Sequence, residues 1–190
     1  MTSIAAHSVV LADAATRSAQ YAGEFDTAMM PRLAALIAQS ADDAVGNVQA
    51  DTVAQGTADI TFSEHRKPRF VGIAGSLDFA CDLVCQRCLE LAPVTVHCEL
   101  KLAVCESQAE DDHLAAVAER FERWDHDAEA LLLAELFEEL ILLELPLVVM
   151  HEDVERCGAL AEDERFAARP VTKQTPFAGL AAMLGENNEQ

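Results

Sequence analysis

Polar and apolar residues alternate with period two through much of residues 58–104, and this is the strongest structural signal in the chain. Ile60 and Phe62 alternate with polar neighbours, and a polar turn over residues 64–68 leads into a longer run. In that run Val71, Ile73, Leu77, Phe79, Cys81 and Leu83 share one face, with Asp78 and Asp82 on the other. Val94, Val96, Cys98, Leu100, Leu102 and Val104 then alternate with Thr95, His97, Glu99 and Lys101. Three strands joined by short turns predict an antiparallel meander with one wet face. Residues 21–25 predict a short extended piece ahead of it.

The helical signals flank this region. Pro31, with Leu33, Leu36 and Ile37 at helical spacing, predicts an amphipathic helix over residues 31–39. Residues 106–126 lack a sustained pattern and predict an acidic mobile loop with one helical turn near 114–120. Asp127 is placed to cap a long helix over residues 128–143, apolar almost all round and hence mostly buried, with Glu135, Glu138 and Glu139 as its solvent stripe. Pro146 stops it, and the β-branched run 147–150 is expected to add to the sheet. Residues 158–174 read as a linker, and Phe177, Leu180, Ala181 and Leu184 form the stripe of a docking C-terminal helix. The expected architecture is a single α+β domain over residues 1–190: an antiparallel β-meander packed against a long buried helix, with short N- and C-terminal helices.

Composition adds a constraint on partners. Hydrophobic residues make up 51% and charged ones 24% of the 190, ordinary for a globular chain, yet 33 acidic against 13 basic side chains leave a formal charge of −20. Residues 106–168 carry 19 acidic and 4 basic side chains, so the acid is concentrated there, and the region 106–164 is a candidate surface for a basic protein. Such a polyanion is repelled by phosphate backbones and anionic lipid, which disfavours extensive RNA wrapping and membrane association. The N-terminus has neither the basic nor the sustained apolar stretch of a secretory signal, and no run is long enough to span a membrane, so a cytoplasmic location is expected.

The sharpest candidate chemistry is Cys85-Gln86-Arg87-Cys88, placed between two strands. Two thiolates in such a knuckle can share one metal ion, with zinc as the candidate and two free thiols as the alternative. One knuckle supplies half a tetrahedron, and Cys157 and His151 are the candidates for the rest. Cys81 and Cys98 sit on apolar strand faces and read as core residues. A thiol-redox role needs a helix N-terminus or a neighbouring cation to lower a thiol pKa, and it is disfavoured because the knuckle joins two predicted strands. Arg66, Lys67 and Arg69, in the first hairpin turn, and Arg87 are candidate contacts for RNA or a partner. The carboxylates run in solvated clusters, and no phosphate loop, nucleophile elbow or metalloprotease motif is present, so no catalytic residue and no small-molecule substrate are expected.

The knuckle between two long strands, the run from Glu138 to Pro146 followed by Val148 to His151 and Cys157, and the closing Pro176-Phe177-Ala178-Gly179-Leu180 resemble the YceD family over residues 21–184. The resemblance implies a non-catalytic cytoplasmic factor for synthesis, processing or stability of 23S rRNA and large-subunit assembly. Some relatives have further cysteines after the counterpart of Cys157 and a fuller metal-binding set; this chain has none there. The acidity fits binding of a basic large-subunit ribosomal protein, with RNA stability as an indirect result. The competing readings are a direct RNA-binding zinc-knuckle module contacting the 23S rRNA precursor, and a metal or thiol enzyme.

Overall fold

The computed structural model describes residues 3–44, 54–66, 69–105, 121–152 and 157. A 3-10 turn, Ile4–Ala6, precedes strand β1 (Ser8–Val10), helix α1 (Leu11–Thr16), strand β2 (Gln20–Asp26) and helix α2 (Pro31–Asp43). The long strands β3 (Gln55–Arg66), β4 (Arg69–Val84) and β5 (Leu91–Cys105) follow. Two short strands, β6 (Glu122–Asp125) and β7 (Ala130–Leu132), lead directly into helix α3 (Leu133–Glu144).

The period-two segments form the expected meander, with the extended piece at 20–26 as a fourth strand. Strands β2, β3, β4 and β5 pair antiparallel in sequence order, and register places Leu77 between Ala58 and Cys98, and Ile73 between Phe62 and Leu102. All the strand residues of one parity therefore turn inward together, because a slip of one position would send every one of them to solvent. Phe62, Ile73, Leu77, Cys81, Cys98 and Leu100 are buried with Leu33, Phe137 and Ile141 in one core cluster. Each fully buried Phe, Leu or Ile contributes about 1.5–3 kcal/mol. Gly75 permits close strand approach: it has φ +154°, and a Cβ there would overlap the backbone oxygen of Asp59 on β3. Among the described residues no helix is long and apolar enough to cross a membrane.

Several expectations are corrected. The sheet is mixed, since β6 lies parallel beside β5 with Leu102 opposite Glu122, and residues 122–125 are strand where the pattern predicted loop. The long buried helix is shorter and one-sided: α3 has 12 residues and buries Leu133, Leu136, Phe137, Glu138 and Ile141, while Leu143 is 75% exposed. Its start is not an Asp127 cap, because residues 130–132 pair with β1 and hold the backbone extended up to the first helical residue. Pairing with a strand far away in the sequence here overrides a local helical pattern. Glu138 belongs to no solvent stripe, being 5% exposed. Pro146 does end the helix, but residues 147–150 add no strand to the sheet. The expected C-terminal helix, the helical turn near 114–120 and the linker at 158–174 lie outside the described residues.

Candidate metal centre

Strand β4 ends at Val84 and β5 resumes at Leu91, so the knuckle is a tight reversal at one end of the longest hairpin. Cys85 and Glu90 close it through Cys85 N–H donating to Glu90 O at 2.8 Å, and Leu89 N–H donates to Cys85 O at 2.9 Å. Leu89 turns the chain with φ +62°, a left-handed conformation that a leucine adopts at a cost of about 1 kcal/mol. The α2 helix braces the same end, where the hydroxyl of Ser40 accepts from Val84 N–H at 2.6 Å.

The segment after Pro146 returns to this turn. Gln86 N–H donates to Val149 O at 2.9 Å, and the Gln86 side-chain amide to Leu147 O at 3.3 Å. These two bonds satisfy backbone groups that sheet pairing would otherwise have used, and they carry His151 over the knuckle. Cys85, Cys88, His151 and Cys157 each present a donor atom, all within 4.8 Å of one another. Cys88 Sγ is 3.4 Å and Cys157 Sγ 3.7 Å from His151 Nδ1. A tetrahedral zinc ion with bonds of ~2.3 Å to sulfur and ~2.05 Å to nitrogen sets S···N edges of about 3.6 Å, so these residues fit the group. Cys85, Cys88 and Cys157 are buried and His151 is half-buried. Bound there, the ion would cross-link the hairpin to the segment after α3; four protein donors complete its shell, as in structural sites.

The two knuckle thiols are shifted in opposite directions. Burial pushes the Cys85 thiol up, but the backbone N–H groups of Cys88, Arg87 and His151 point at its sulfur and bring it down to about 6. Burial, with the neighbouring sulfurs of Cys85 and Cys157, holds Cys88 above its usual value. In the core, burial takes Cys81 and Cys98 up to about 11, in keeping with their role as small apolar residues. Arg87 lies over the cluster, with Nη1 3.9 Å from Cys157 Sγ and Nη2 3.6 Å from Met150 Sδ. Three thiolates and a neutral imidazole around a divalent ion leave one negative charge, which that guanidinium offsets.

A family model described as large ribosomal RNA subunit accumulation protein YceD matches residues 73–184. A Haemophilus influenzae protein of the same name is 32% identical over 171 residues, covering 88% of this chain and 88% of its own. The chain belongs to the YceD family. No solved structure matches it. The matched YceD span takes in all four donors, the β4–β5 hairpin from Ile73 on and α3, whereas β2, β3 and α2 lie ahead of it.

The basic candidates are divided: Arg87 lies with the donors, and the β3–β4 turn lies away from them. Arg66 lies at the β3–β4 turn, opposite Arg69 in register, and pairs with Glu64 at 3.5 Å. The 16 residues of β4 separate that turn from Arg87 by on the order of 50 Å. Lys67 lies outside the described residues. The candidate acidic partner surface at 106–164 is described only in part, over residues 121–152 and 157.

Proposed function

We propose that this chain supports accumulation of the large ribosomal RNA subunit as a cytoplasmic binding factor, not an enzyme, by engaging a basic ribosomal protein, and that a zinc ion on Cys85, Cys88, His151 and Cys157 holds its hairpin in shape. Membership of the YceD family carries this reading. Sign of charge supports a protein partner over RNA: at −20 the chain attracts a basic protein and repels a phosphate backbone. The donor set supports a structural role for the metal, since four protein ligands leave no position for a substrate.

Deleting the gene and restoring it on a plasmid tests the reading. Large-subunit rRNA should fall on deletion and recover with the wild-type chain, and the tagged chain should retain a basic large-subunit protein at low salt and lose it at moderate salt. Unchanged rRNA on deletion, or recovery of RNA without protein, overturns it.

A further inference from the structure

Among the described residues, the helices pack on the inward side of the meander and none lies on its outward face. Its outward residues form rows across four strands: Glu24, Thr57, Asp78 and His97 in one, and Ala22, Asp59, Ser76 and Glu99 in the next. The four carboxylates are exposed and staggered, so that no two stand directly opposite across a strand pair. That arrangement limits their repulsion, which is greatest between direct cross-strand neighbours. It also leaves Thr57 between Glu24 and Asp78, and Ser76 between Asp59 and Glu99. Each short side chain is the floor of a slot with a carboxylate on the strand at either side, ~4.8 Å away.

A concavity of about 750 Å³ lies over the first row, lined among others by Glu24, Asp26, Thr57, Asp78 and His97, and a smaller one of about 220 Å³ lies over Thr57, Asp59 and Ser76. The side chains exposed along it are polar or alanine, which offers little to an apolar helix or to a hydrophobic dimer interface. Some of its acid is partly engaged: Asp78 accepts from His97 at 2.7 Å and Asp59 from the Gln20 amide at 2.7 Å. Lys101 is the remaining cation on the outward side of β5. At the β2 edge Ser3 Oγ is buried with no hydrogen-bond partner among the described residues, a polar group that an occupant entering there can satisfy.

We infer that this concave sheet face is the docking surface for an extended Lys/Arg-rich segment of the partner protein, with cationic side chains seated over Thr57 and Ser76 between paired carboxylates. This deepens the reading above, that the chain serves a basic protein, by naming the surface. The two slots lie about 8 Å apart on the strand lattice, close to the ~7 Å between successive same-side residues of an extended chain. A peptide laid across the strands meets two carboxylates at each slot, an arrangement that a phosphate backbone cannot use.

The test uses the full chain and a fluorescent peptide of alternating Lys and Ser. Two charge variants are compared at matched salt: Glu24→Gln/Asp59→Asn/Asp78→Asn/Glu99→Gln on the face, and Asp42→Asn/Asp43→Asn/Glu135→Gln/Glu144→Gln on the exposed sides of helices α2 and α3. A third, Thr57→Trp, fills a slot without changing charge, and circular dichroism checks that each is folded. The face variant should weaken the peptide at least tenfold and flatten its salt dependence, Thr57→Trp should weaken it several-fold, and the other variant should change it less than threefold. Equal losses in both charge variants, or an unaffected Thr57→Trp, overturn the face as a docking site. So does a face variant that restores rRNA fully in the deletion strain, an outcome that leaves the proposed function standing. A deletion strain with normal rRNA removes that function instead.

Discussion

At the N-terminus of α2 the amides of Arg32 and Leu33 have no acceptor within their own helix. Glu138, 106 residues further along the chain, takes both on Oε1 at 2.7 and 3.1 Å, while its Oε2 accepts from Arg32 Nε at 2.9 Å. Burial works to raise its pKa, but the Leu33 amide, the Arg32 guanidinium and the Arg32 amide outweigh it and leave Glu138 below the usual 4.5. Removing it strands two donors, one on buried Leu33, so Glu138→Ala should cost about 3 kcal/mol and lower Tm by about 6–12 °C in thermal unfolding. Because the folded pKa is depressed, the stabilisation is complete above pH 4.5 and is lost as pH falls toward the folded value. The gap in Tm between wild type and Glu138→Gln should therefore narrow below pH 4.5. His97 has the opposite sign. The hydrogen bond that His97 donates to Asp78 and the charge of that carboxylate, with that of Glu99, hold His97 above 6.5, so the pair stabilises below 6.5 and fades as pH rises through the raised value. An NMR titration should place His97 above 6.5 and return it toward that figure in Asp78→Asn.

At the scale of elements, the turn between β4 and β5 and the segment after α3 are joined, among the described residues, by the donor cluster, the two Gln86 bonds and the contacts of Arg87 with Met150 and Cys157. Their coupling should depend on the metal. Stripping the ion with a strong chelator, or replacing Cys88 by Ser, should lower Tm by on the order of 10 °C. Hydrogen exchange should accelerate at Cys85, Gln86 and Leu89, whereas amides of Leu77 and Leu100 in the sheet centre should keep their protection. Elemental analysis should give one zinc per chain for the wild type and much less for Cys88→Ser. An unchanged Tm with one zinc lost would mean that the sheet holds the hairpin alone.

For the whole molecule the governing quantity is charge. A net −20 repels itself in the folded state, and part of that repulsion falls on the outward sheet face, where Glu24, Asp59, Asp78 and Glu99 are exposed. Screening shortens the reach of these fields from ~30 Å at 0.01 M salt to ~3 Å at 1 M. Raising salt from 0.01 to 0.5 M should lift Tm by roughly 2–4 °C for each kcal/mol of repulsion removed. The same salt should weaken a basic partner, so stability and binding should move in opposite directions when both are followed in one titration. Loss of stability with added salt would show that attractive pairs such as Arg32 with Glu138 and Glu139 outweigh the repulsion.

The meander was legible in the sequence because alternation over long strands reports directly which side chains leave water: Ile73, Leu77, Cys98 and Leu100 are inward by parity alone. The knuckle was legible from local spacing, since only two residues separate its thiols, and Cys157 and His151 were nameable as candidates by chemistry. Their convergence was not, because it depends on where the chain travels after α3. The backbone bonds from Gln86 that bring it back leave no trace in residue type. Strands β6 and β7, of 4 and 3 residues, were invisible for want of length, and β7 took residues that local propensity assigned to a helix. Glu138 read as solvent-facing from its neighbours Glu135 and Glu139, and only the approach of α2 made it a buried cap. Periodicity records burial averaged over one element; a contact between elements far apart in sequence is a property of the tertiary structure and is decided there.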